Sequence, residues 1–307
     1  MRPGRELPVW RSMLYVPVNV DRFVDRAHTR GADCIQLDLE DSIPQAEKEK
    51  ARSLVRSAAA KVRRGGADVL VRINRPLSLA VRDLEASVCS EVDGLAIAKV
   101  DGPSHVRLLD EMVTDLEREA GLDAGRTRFV LMIETPQAYL DMRAIAQASP
   151  RVAGMTIGDE DFALECGMQA DGEALLQAKQ QMIVTARAAG VMPLGFIDSI
   201  ADLSDAEAFR AMARRSRRLG FDGASCVHPA QVQIVNEEYT PDVDALTFAR
   251  RVVEGHREAG MIGRGAFRID GKMIDLPVVA RAQRLLARFE AIQERERRTR
   301  AAMTAVG

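Results

Sequence analysis

Short apolar runs alternate with longer amphipathic stretches along most of the chain. Apolar residues dominate positions 13–17, 34–39, 69–73, 94–99, 128–133, 154–157, 192–197 and 223–227. Runs of that kind suit parallel strands, whose two faces are both buried. The longer stretches, such as 47–63, 104–120, 173–189 and 205–219, carry apolar residues at helical spacing. Gly121, Gly190 and Gly220 stand where three of them stop, as helix-terminating glycines do. Ser204 with Glu207 predicts a capping box at the start of the stretch 205–219. Eight strand–helix units can be counted, and such alternation means a parallel sheet with helices outside it. Eight units favour closure into a (β/α)8 TIM barrel over an open doubly wound sheet. No GxGxxG follows the first strand, which weakens the dinucleotide-binding alternative.

Beyond Pro241 the alternation ends. A helical stretch at 243–259 leads into Gly260-Met-Ile-Gly-Arg-Gly-Ala-Phe267. The segment Arg268-Ile-Asp-Gly-Lys-Met-Ile-Asp-Leu-Pro277 follows, then a final helix to about residue 293. The charged tail 294–300 is expected to fray. We therefore expect a barrel catalytic domain over 1–240 and a C-terminal helical arm or lid over 241–307, packing on a neighbouring subunit. The 307 residues suffice for a barrel of about 250 plus that arm.

Composition narrows the function. The chain is 47% hydrophobic and 29% charged, as expected of a globular protein with a sizeable core. Its 43 basic and 45 acidic side chains leave a net charge of −2, which points to neither nucleic acid nor membrane. No signal-like or membrane-spanning run is found, so a cytoplasmic protein is expected. Cys34, Cys89, Cys166 and Cys226 are scattered without ligand-like spacing and read as free thiols.

In a barrel of this kind chemistry gathers where strands end and loops begin. Those positions hold Asn19 and Arg22, then Asp38, Glu40 and Asp41, then Arg72 and Asn74, then Lys99. Glu134 and Thr135, then Asp159, Glu160 and Asp161, then Ser225 and His228 complete the set. Carboxylates converging in a cleft repel one another unless a cation joins them. Oxygen donors without soft partners point to Mg²⁺ or Mn²⁺ rather than Zn²⁺. Glu134 and Asp161, from adjacent strand ends, suit the ligand role, and Glu40 and Asp41 the holding of the ion's waters. The competing reading is that each carboxylate caps a helix or pairs with a surface cation. Arg72, inside an apolar strand, needs an anionic partner, either substrate or a structural carboxylate. Lys99 is open between a substrate contact and a structural ion pair. For His228 a structural loop contact is the better reading, and His28, His105 and His256 are expected to be solvated.

These residues also carry a resemblance. Arg11-Ser-Met-Leu-Tyr-Val-Pro17, Gly31-Ala-Asp, Leu37-Asp-Leu-Glu-Asp-Ser42, Val71-Arg-Ile-Asn74, Ile133-Glu-Thr135, Gly158-Asp-Glu-Asp161 and Val227-His-Pro229 stand in the order usual for the citrate lyase β-subunit family, within the wider HpcH/HpaI aldolase group. Gly263-Arg-Gly-Ala-Phe267 with Gly271-Lys-Met-Ile-Asp275 resembles the C-terminal arm of the malyl-CoA, β-methylmalyl-CoA and citramalyl-CoA lyases. The resemblance implies Mg²⁺ on Glu134 and Asp161, with Arg72 on the substrate. It implies that Asp275 transfers a proton in a neighbouring subunit's active site, within a homotrimer or hexamer. It places CoA near Asn19, Arg22 and Arg26. The activity implied is Mg²⁺-dependent cleavage of a 3-hydroxyacyl-CoA to an acyl-CoA and a 2-oxo acid. Alternatives are hydrolysis of a malyl-type thioester, an aldolase acting on a free hydroxy-keto acid, and a non-catalytic subunit of a lyase complex. The chain departs from the family pattern at Pro193-Leu-Gly195, where a strand-end carboxylate is common, at Lys179, where arginine is common, and at Ala98, where proline is common before Lys99.

Overall fold

The computed structural model describes residues 7–198, 205–261 and 266–306. Strands β1 (Ser12–Pro17), β2 (Cys34–Asp38), β3 (Asp68–Ile73), β4 (Gly94–Ile97), β5 (Arg128–Ile133), β6 (Val152–Ile157), β7 (Met192–Pro193) and β8 (Ala224–Cys226) pair in parallel in the order β7-β6-β5-β4-β3-β2-β1-β8. An isolated parallel bridge between Leu194 and Gly223 joins the last two strands and completes the barrel. The helices are α1 (Asp21–Ala27), α2 (Lys48–Val62), α3 (Leu77–Ser87), α4 (Pro103–Glu119), α5 (Pro136–Leu140), α6 (Met142–Ala146), α7 (Asp159–Cys166), α8 (Leu176–Ala189), α9 (Ala206–Leu219) and α10 (Pro229–Glu238).

Alternate strand residues enter two separate cores. Val69 and Val71 pack outward among the helices, while Leu70 between them joins Met13, Cys34, Val130 and Leu194 inside the barrel. Ala96, Ala98 and Ala153 share that inner cluster with larger side chains such as Met132 and Met192. Cys34, Cys89 and Cys226 are buried free thiols, as expected, and Cys166 is half-buried.

Some expectations need correction. Strand seven is much shorter than 192–197, because Pro193 lacks an amide proton and Gly195 takes φ +134. Helix α9 is capped by Asp205, whose carboxylate accepts from the amides of Glu207 and Ala208, both at 2.9 Å. The expected cap, Ser204, lies outside the described residues.

The chain divides into two compact units, residues 1–239 with 299–307, and residues 240–298. In the second, α11 (Val243–Met261) precedes the antiparallel hairpin β9 (Phe267–Ile269) and β10 (Lys272–Ile274), followed by the part of α12 (Leu276–Val306) up to residue 298. Asp270 and Gly271 make the hairpin turn, both with positive φ. Val252, Ile269, Ile274 and Val279 are buried within its small core. Residues 262–265 of the Gly-rich stretch lie outside the described residues. Helix α12 does not stop at 293. It runs through the charged tail, where Glu294 and Arg297 pair at 2.6 Å.

Candidate active site

Strand register places Asp38 opposite Arg72 on neighbouring strands. Arg72 Nε and Nη2 donate to the two oxygens of Asp38, both at 2.7 Å. Such a fork is the strongest form of the pair and fixes the plane of the guanidinium. Asp38 also accepts from the amides of Glu40 (2.9 Å) and Ser42 (3.2 Å), so it shapes the loop that carries Glu40 and Asp41. Burial opposes ionisation of Asp38 most, yet Arg72 and these amides together hold its carboxyl below the usual range. Arg72 Nη1 reaches on to Glu40 (3.0 Å) and Asp41 (3.4 Å). The guanidinium lies 4.9 Å from the centre of the Tyr15 ring. Arg72 therefore has structural carboxylate partners, one of the two readings left open by the sequence.

Lys99 is not turned toward open space. Its ammonium lies 2.5 Å from Glu40 Oε1, 3.4 Å from Asp41 Oδ1 and 3.6 Å from Asp161 Oδ1. Its backbone amide donates to Glu134 Oε2.

Glu134 is 2% exposed at the end of β5. Burial pushes its carboxyl up to about 7, the Lys99 amide opposes this, and the charges of Asp161 and Glu40 add to it. Asp161, in the first turn of α7, lines the same cavity of about 440 Å³ as Glu134. A Cβ on Gly158 would collide with the Glu134 carboxylate, so glycine is required beside it.

These donors fit a hard divalent cation. Glu134 is a buried carboxylate short of positive charge, and its Oε2 is already held in place. Among the described residues no three His, Cys, Asp or Glu side chains gather into a metal cage. Mg²⁺ needs none, since it commonly takes one or two protein carboxylates and leaves its other positions to water and substrate.

A second cavity of about 800 Å³ shares Tyr15, Asp41, Arg72 and Val227 with the first. Arg22, Arg26 and Arg30 line it. The sequence reading missed Arg30, although it continues the four-residue spacing of the other two. Asn19 donates instead to Glu47 Oε2 at 2.5 Å.

The reading also missed Asp198. A carboxylate is absent at position 195, but Asp198 closes the run 192–197, and its charge reaches Asp159. Lys179, 2% exposed, donates to Asp159 at 2.8 Å. Thr135 and His228 are helix caps, accepting from Ala138 N (3.1 Å) and Ala230 N (3.2 Å). Asp275 stands in the second unit ahead of α12, where its Oδ1 accepts from Val278 N at 3.3 Å.

The model of the HpcH/HpaI aldolase/citrate lyase family matches residues 11–229. The chain belongs to that family. It is 34% identical over 279 residues to the citrate lyase subunit beta of Leuconostoc mesenteroides subsp. cremoris, covering 90% of this chain and 92% of that one. It is 32% identical over 287 residues to a (3S)-malyl-CoA thioesterase of Cereibacter sphaeroides, covering 92% and 95%. Among solved structures of the family fold, the protein CitE of Mycobacterium tuberculosis, in complex with magnesium, acetoacetate and coenzyme A, superposes with a TM-score of 0.72. That likeness has 26% identity and covers 92% of this chain and 98% of the other. No described helix is long and apolar enough to cross a membrane.

Proposed function

We propose that the protein is a Mg²⁺-dependent carbon–carbon lyase. It cleaves a 3-hydroxyacyl-CoA of the malyl-CoA, β-methylmalyl-CoA or citramalyl-CoA type to an acyl-CoA and a 2-oxo acid. One observation carries the reading. Arg72 stands where two cavities share a wall, one holding Glu134 and Asp161, the other lined by Arg22, Arg26 and Arg30. A chelating hydroxy acid joined through a thioester to a long polyanion matches that layout. The CitE structure with magnesium and coenzyme A supports it.

In this scheme Glu134 and Asp161 would hold the ion, and Glu40 and Asp41 would order its waters. A divalent ion held there would supply Lewis acidity to the substrate hydroxyl, whose proton leaves to a neighbouring water, and to the carbonyl that forms from it. The C2–C3 bond breaks, and its electron pair enters the thioester as an enolate. Arg72, fixed beforehand by Asp38, stabilises the negative charge growing on the thioester oxygen. Asp275 of a neighbouring subunit gives the enolate carbon its proton. The trimer or hexamer implied by the family resemblance would bring it there.

The thioesterase among the relatives favours one second reading, hydrolysis of the thioester bond. Incubation with a panel of hydroxyacyl-CoA thioesters and Mg²⁺, with products separated by chromatography, decides between them. The lyase yields acyl-CoA and a 2-oxo acid in equal amounts. Free CoA with an intact hydroxy acid would overturn the lyase reading in favour of hydrolysis. No turnover of any thioester would overturn both.

A further inference from the structure

We infer that Lys99 is a built-in counterion of the carboxylate cluster, holding it together before a divalent ion binds and weakening the ion's affinity in return. The inference rests on the metal reading proposed above. Lys99 takes φ +49, a left-handed conformation that few residues other than glycine adopt. That backbone lets one residue reach the cluster twice. The amide N–H donates to Glu134, while the ammonium returns to Glu40, Asp41 and Asp161 within 2.5–3.6 Å. An ammonium has three donors, and three carboxylates surround this one.

Such a cation balances charges that would otherwise repel. It also lies 3.6 Å from Asp161, one of the two proposed metal ligands. A second positive ion entering there must either share that carboxylate or displace the ammonium. Lys99 is therefore a positioning residue rather than a substrate contact.

Calorimetric titration of the full-length protein with MgCl₂ tests this. Lys99→Met should tighten Mg²⁺ binding, by about tenfold for a screened charge pair at this range. Lys99→Arg, which keeps the charge, should retain the wild-type affinity. In thermal melts without metal, Lys99→Met should unfold below the wild type, and saturating Mg²⁺ should close that gap. Should Lys99→Met fail to fold, Lys99→Asn replaces it, because asparagine tolerates the left-handed backbone. Equal or weaker Mg²⁺ affinity in the uncharged variant overturns the inference while leaving the metal site standing. Absence of Mg²⁺ uptake by every form overturns the metal site, and the inference with it.

Discussion

His105, in the first turn of α4, is half-buried rather than solvated, and its Nδ1 accepts from Asp101 N at 3.4 Å. Burial first, and then the charge of Arg75, push its pKa from 6.5 down to about 4. Between those values an unfolded chain takes up a proton that the folded one refuses. The group's contribution is thus favourable above about pH 6.5 and is lost as pH falls toward 4. His105→Gln should flatten the acid side of the stability profile, read from urea unfolding at pH 6.5 and 4.5. Parallel profiles for the two proteins would contradict the assignment. At this scale the sequence revealed which residues gather, because strand-end positions follow from the strands themselves. It left open what they touch. Asp38 was visible as a strand-end carboxylate, but its grip on Arg72 depends on the register between β2 and β3. Lys99 gave no sign of its backbone conformation, and so none of its two-way reach into the cluster.

Strands were easier to read than their limits. Eight apolar runs gave eight strands, yet β7 ends at Pro193, and the carboxylate past that end, Asp198, went unread. The hairpin β9–β10 went unread, although the Asp270-Gly271 pair between short β-like runs is its ordinary signal. Among helices, α4 is tied to the barrel by a buried ionic cluster. Arg151 Nη1 and Nη2 each donate to Glu117 at 2.7 Å, and its Nε donates to Asp110 at 2.5 Å. Glu117 also accepts from Thr127 N at 2.7 Å, which joins α4 to the start of β5. Removing one partner strands a buried charge. Arg151→Met should therefore cost about 3–5 kcal/mol, measured by chemical denaturation. A loss below about 1 kcal/mol would show the cluster to be no stronger than a surface pair.

For the whole molecule, the barrel was legible because a period of strand and helix is a property of the entire chain. Assembly was accessible only through resemblance. Asp275 and Glu134 belong to different units of the chain, and the proposed scheme has Asp275 serve a neighbour's site. Asp275→Asn and Glu134→Ala should each be inactive as homo-oligomers. Co-expressed, they should form mixed assemblies in which some sites combine an intact Glu134 with an intact Asp275. Restored activity in purified mixed oligomers would support action between subunits, and its absence would place Asp275 outside the reaction or within its own chain.

The account depends most on one ion shared by Glu134 and Asp161. Titration with Mn²⁺, followed by its electron paramagnetic resonance signal, reads that directly and needs no substrate. The wild type should bind one ion per chain, and Glu134→Ala and Asp161→Ala should each lose that binding. Wild-type affinity in either variant would contradict the shared site and the chemistry built on it.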